Sequence, residues 1–155
     1  MTIRSILLAA ALAAPAGIAL ADGATSVQLG LREARDVSEA ELYLRRDTEA
    51  GFGPVRVVYG ASITESGAVW AGVGLQAVFG LGGGWAVEGS VMPGLRHDGS
   101  GPDLGHPVQV RSALAISRGV GPGRLALGVD HLSNAALGDM NPGSDSLFLR
   151  WTFAR

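Results

Sequence analysis

The sequence predicts an all-β fold, an eight-stranded antiparallel transmembrane β-barrel of the outer membrane. Three observations predict it. Apolar residues alternate with small, polar or charged ones in segment after segment, and nothing beyond residue 21 is both long and helix-periodic. Glycine supplies 24 of 155 residues and, with Pro and Asp, punctuates the alternation. Apolar residues make up 47% and charged residues only 17%, against about 25% charged in ordinary soluble domains. No second long apolar run gathers that greasiness into a helix, so it is spread along strands, as a lipid-facing barrel requires.

The first 21 residues read as an export leader. Arg4 gives a positive start and Ile6 to Ala14 a short apolar stretch. Pro15 and Gly17 break it, and Ala19 and Ala21 put small residues where a signal peptidase reads. The competing reading is a retained anchor, but the apolar stretch is shorter than the roughly 20 residues a span needs. Cleavage after Ala21 would leave 22–155 as one barrel domain in the outer membrane of a Gram-negative cell.

Strands are expected near 25–33, 38–47, 54–63, 68–80, 84–95, 107–118, 123–134 and 144–153. In the second, Ala40, Leu42 and Leu44 face one way, and Glu41, Tyr43 and Arg45 the other. The seventh sets Leu125, Leu127 and Val129 against Ala126, Gly128 and Asp130. The eighth sets Leu147, Leu149, Trp151 and Phe153 against Phe148, Arg150 and Thr152. Glycine turns at 80–84 and 119–123 alternate with longer polar connections at 96–106 and 134–143, matching the short inner turns and longer outer loops of outer-membrane barrels. A secreted β-sandwich or lipocalin-like barrel would point its apolar face inward, and would not set Arg and Glu opposite Leu in so many strands. Inward charges at Glu41, Arg45, Glu88, Arg111, Arg150 and Asp130 are expected to fill the interior as ion pairs. Eight strands leave room for side chains but no pore.

Composition excludes several functions. All 12 basic residues are Arg, and with 14 acids the formal charge is −2, so nothing draws nucleic acid. Cysteine is absent, which rules out a disulfide scaffold, a thiol nucleophile and a thiolate metal site. The loop His97–His106 carries two His and two Asp, but its irregular spacing and its Gly and Pro residues suit a solvated loop better than a metal or phosphate site. Gly82-Gly83-Gly84 precedes no helix and is no phosphate loop.

Parity then singles out three polar residues on the greasy face. The outward series Leu125, Leu127, Val129 runs on into His131 and Ser133, and the outward series of the eighth strand runs back into Asp145. If His131 faces Asp145, then Val129 faces Leu147, Leu127 faces Leu149 and Leu125 faces Trp151, all apolar. Directly opposed residues have Cβ atoms about 5 Å apart, so the carboxylate reaches the imidazole. A serine hydroxyl needs an adjacent base, and that base needs a third group to fix its tautomer. Ser133 is thus a candidate nucleophile, His131 its base and then acid, and Asp145 the orienting acid, at the level of the outer leaflet. The plainer reading is that all three mark where strands leave the membrane.

The segment His131-Leu132-Ser133-Asn134-Ala135-Ala136-Leu137, followed by Asn141-Pro142-Gly143-Ser144-Asp145, resembles the C-terminal signature of the outer-membrane lipid A deacylases, the PagL-like family. That signature is a His-x-Ser-Asn segment with an acid fourteen residues after the histidine, where Asp145 stands. The resemblance implies a Ser-His-acid esterase that removes the ester-linked 3-hydroxyacyl chain at the 3-position of lipid A, without a cofactor or metal. It also implies that Asn134, Ala135 and Ala136 are the candidates for the oxyanion hole. Two positions depart from the pattern: the family acid is usually Glu, and Ala136 stands where Gly is usual. Implied partners are lipopolysaccharide and the outer-membrane lipids; a homodimer is left open. The alternatives are a structural or adhesive small barrel and an acyltransferase barrel. The first gives no reason to hold the trio together, and the sequence gives no sign of an acyl donor inside the barrel.

Overall fold

The computed structural model describes residues 23–153. The leader expected at 1–21 lies outside them. Eight antiparallel strands run in chain order: β1 (Gly23–Ala34), β2 (Val37–Phe52), β3 (Val55–Thr64), β4 (Val69–Gly82), β5 (Trp85–His97), β6 (Val108–Val120), β7 (Gly123–Ser133) and β8 (Ser144–Phe153). Each pairs with its neighbour and β8 closes on β1, so the barrel has no free edge. All eight expected strands are present. β2 runs five residues further than its alternation suggests, because its register shifts between Asp47 and Gly51 before the hairpin to β3.

Alternation sets the two faces. The outward row includes Leu75, Val91, Leu114, Leu127, Val129 and Leu147, all exposed and apolar. Their only favourable surrounding is hydrocarbon. The inward row is buried. Toward one end Tyr43, Val58, Trp70, Met92, Leu104 and Leu132 pack together, with the Arg111 guanidinium 4.1 Å above the Tyr43 ring. Inward glycines make room for these rings. A Cβ at Gly72 or Gly94 would come within 2.5 Å or 2.8 Å of Trp70.

Beside a smaller apolar cluster of Ala115, Ala126 and Phe148, the interior carries ion pairs, as the inward charges predict. Arg32 and Arg111 each bind both Glu41 and Asp130. Arg32 also donates to the Ser144 carbonyl and hydroxyl, and Gln28 donates to Asp130. Arg150 binds Glu88, and Arg45 binds Asp47 at 2.9 Å. Two guanidinium groups against two carboxylates make the central cluster neutral, the condition under which buried charge is tolerated.

The connections differ in one respect from the expected pattern. At the end carrying the long loops, 98–107 and 134–143, the other two connections are short: Arg35–Asp36 and residues 65–68. The loop after β5 is also more than a solvated tether. Leu104 is buried in the aromatic cluster, and Gln109 Nε2 donates to the carbonyls of Leu104 and His106. An apolar side chain plugs that mouth of the barrel.

Candidate active site

The β7–β8 hairpin has the register expected from parity. His131 faces Asp145, Val129 faces Leu147, Leu127 faces Leu149 and Leu125 faces Trp151. His131 Nδ1 lies 2.8 Å from Asp145 Oδ1. Both are on the outer wall, with side chains 50% and 81% exposed, beside Val129 and Leu147. A histidine so oriented presents its other nitrogen, Nε2, away from the acid.

Ser133 ends β7, two residues beyond His131 on the same face. Two strand residues span about 6.6 Å. The structure brings His131 and Asp145 into contact. It leaves the Ser133 hydroxyl unbonded among the described residues. The serine is half-buried and stands at the end of β7, nearer the loop than His131 is.

That loop begins with a turn in which Leu137 N donates to Asn134 O at 3.0 Å. Its two central residues, Ala135 (φ 52) and Ala136 (φ 61), are both left-handed, as a type I′ turn requires. Such a conformation suits Gly and is strained for Ala. Among the described residues the amides of Ala135 and Ala136 donate to no acceptor. Asn134 is different. Its side chain is fully buried, with Nδ2 donating to the carbonyls of Leu104 (3.1 Å) and Met140 (2.6 Å), and its backbone N donates to Asn141 Oδ1. Asn134 ties the β5–β6 loop to the β7–β8 loop beneath the turn.

A groove of about 1060 Å³ opens on the outer wall beside this hairpin. His131 and Asp145 stand at its polar end, and Val129, Leu114, Val91 and Leu75 carry it across β6 and β5 to β4. Two neighbours of the imidazole escape a search for polar triads. Gly143 (φ +68) lies against the His131 ring, and Ser112 is its cross-strand partner on β6. A left-handed glycine just before the acid, and one serine interrupting an apolar outward series, are the signals that mark them. No cluster of three or more metal-ligating side chains exists among the described residues.

Comparisons with known proteins bear on the fold and the family. Among solved structures the chain is similar to the outer-membrane enzyme PagL, at TM-score 0.66 and 16% identity over 85% of this chain and 99% of that one. It is also similar to neisserial surface protein A, at TM-score 0.62 and 10% identity over 86% and 96% of the two chains. A designed transmembrane β-barrel aligns at TM-score 0.58 and 12% identity, covering 86% and 97%. At such identities these likenesses speak for the fold of small outer-membrane barrels. No curated protein sequence matches the chain. The family model described as lipid A 3-O-deacylase (PagL) matches residues 26–154, from β1 to the end of β8, and so takes in the whole barrel and the His131–Asp145 hairpin. This outer-membrane barrel therefore belongs to the lipid A 3-O-deacylase (PagL) family.

Proposed function

We propose that this lipid A deacylase is a serine esterase that releases the 3-hydroxyacyl chain from the 3-position of lipid A in the outer leaflet. The observation that carries the reading is the 2.8 Å contact of His131 with Asp145 on a wall otherwise built for lipid. Polar groups there are costly, up to about 2–4 kcal/mol for a basic side chain at the midplane and less near the headgroups. A barrel that only fills space gains nothing from that cost.

In this mechanism Nδ1–H donates to Asp145, which leaves Nε2 basic. A rotation of the Ser133 side chain brings its hydroxyl to Nε2 as substrate binds, since catalytic hydrogen bonds often tighten only in the complex. Ser133 Oγ attacks the ester carbonyl and its proton passes to Nε2. The tetrahedral oxyanion is met by the free amides of Ala135 and Ala136, held in place by the buried Asn134 side chain. Collapse breaks the bond to the sugar oxygen, which takes the proton from His131 and leaves as the alcohol. Water, deprotonated by His131, then attacks the acyl-enzyme. The products are the free 3-hydroxy acid and regenerated Ser133. The released chain lies in the groove running from His131 toward Leu75. No cofactor or metal enters these steps. Export by the 1–21 leader puts the barrel in the membrane that holds this substrate.

The test is mass spectrometry of lipid A from cells expressing the wild type or Ser133→Ala, with barrel folding checked by heat-modifiable migration. Loss of one 3-hydroxyacyl mass with the wild type alone is the expected result. An active Ser133→Ala would overturn the serine mechanism. Inactivity of the folded wild type would favour a structural barrel or a different lipid ester.

A further inference from the structure

We propose that Ser112 recognises the 3-hydroxyl of the acyl chain being cleaved, and so makes the site selective for 3-hydroxyacyl esters. This rests on the deacylase reading above and adds a determinant to it.

Ser112 is out of place for a residue with only a structural role. The outward series of β6 reads Val110, Ser112, Leu114, Ile116, and Ser112 is exposed on the lipid face. Among the outward positions of the eight strands it is the one serine or threonine with apolar outward neighbours on both sides along its strand. Its hydroxyl has no hydrogen-bond partner among the described residues. In hydrocarbon an unpaired hydroxyl is unfavourable, and Ala or Val would serve a barrel wall better. A polar group kept in such a place points to a polar group on what binds there.

Its position specifies which group. Ser112 pairs with His131 on one side and Val91 on the other. Directly opposed residues have Cβ atoms about 4.5–5.5 Å apart. It therefore lines the groove one strand away from the imidazole, where the polar end gives way to Val91 and Leu114. A chain whose carbonyl carbon is attacked beside His131 and whose tail follows the groove carries its third carbon past Ser112. A hydroxyl there can both donate to and accept from the serine. A site built to pair a substrate hydroxyl discriminates against the analogue that lacks it, because its own polar group is then left unpaired.

The experiment compares two esters in mixed micelles: lipid A with its natural 3-hydroxyacyl chain, and a synthetic counterpart with the same chain lacking the 3-hydroxyl. The wild type should favour the hydroxylated ester in kcat/KM by about threefold to tenfold, the range of one neutral hydrogen bond. Ser112→Ala should bring the two esters to near-equal rates, and Ser112→Thr, which keeps a hydroxyl, should retain the preference. The proposal is overturned if the wild type does not discriminate, or if Ser112→Ala keeps the full preference. It is also overturned if Ser112→Ala is inactive on both esters while Ser133→Ala still works, since Ser112 would then be the nucleophile. Hydrolysis of neither ester by folded wild type would instead remove the deacylase reading on which the proposal stands.

Discussion

Gly143 lies against the free edge of His131: a Cβ at residue 143 would stand 2.9 Å from Cε1 and 3.4 Å from Nε2. The same residue has φ +68, so glycine serves twice, once for the backbone path into β8 and once for the space beside the imidazole.

Gly143→Ala should therefore lower kcat by about tenfold to a hundredfold through a displaced imidazole. The barrel should still form, because the change lies in the loop ahead of β8. Turnover of lipid A by purified variant, read beside its thermal unfolding, checks this. Wild-type kcat would mean that the ring has room to spare.

Asp145→Asn should reduce activity by less than the about 10⁴-fold seen when a buried triad acid is changed, because this side chain is 81% exposed on the outer wall and no surrounding protein locks the amide in the wrong orientation. Asp145→Glu should stay active, since the longer acid can still reach Nδ1 from an exposed position. Initial rates for both variants separate orientation by the acid from mere polarity at that site.

Ala136→Gly should raise stability by about 0.5–1 kcal/mol, relief of a left-handed alanine outweighing the added freedom of the unfolded chain. The deacylation rate should hold or rise, because the turn keeps its shape. Chemical unfolding in detergent micelles measures the first and a lipid A assay the second. A loss of stability would show that the Ala136 methyl makes a contact worth more than the strain.

Arg32→Met should destabilise the barrel by about 3–5 kcal/mol, since it leaves Asp130 and Glu41 sharing Arg111 alone. Adding Asp130→Asn should recover part of that loss by restoring neutrality. Urea unfolding of the single and double variants decides between charge imbalance and simple loss of packing.

Much of the fold was legible because a strand has a strict period of two. Once Leu125 to Val129 and Leu147 to Phe153 are read as outward, parity puts His131 and Asp145 on one face, and the direct pairing supposed between them is the one the β7–β8 register shows. What the alternation could not show lies where the chain leaves the ladder. The burial of Leu104 and the capture of Asn134 Nδ2 by two loop carbonyls depend on loops meeting across the mouth of the barrel, which no local pattern encodes. Asn134, expected at the oxyanion, has its donors committed to those carbonyls, and the neighbouring amides are the ones left free. Arg32 was missed in the interior cluster, although its parity alone puts it there with Gln28 and Gly30. Ser112 was hidden for a different reason: one serine in an apolar strand is weak evidence until the neighbouring strand brings His131 beside it.

His131 and Asp145 stand on the outer wall, and the interior is closed by ion pairs and Leu104. A lipid substrate on the proposed reading therefore reaches them sideways, by diffusion within the leaflet, and not through the barrel. The quantity that governs turnover is then surface density, the mole fraction of lipid A among its neighbours, and not a concentration in bulk water. Dilution with inert lipid should slow the reaction at constant total substrate, while a larger aqueous volume should leave it unaltered.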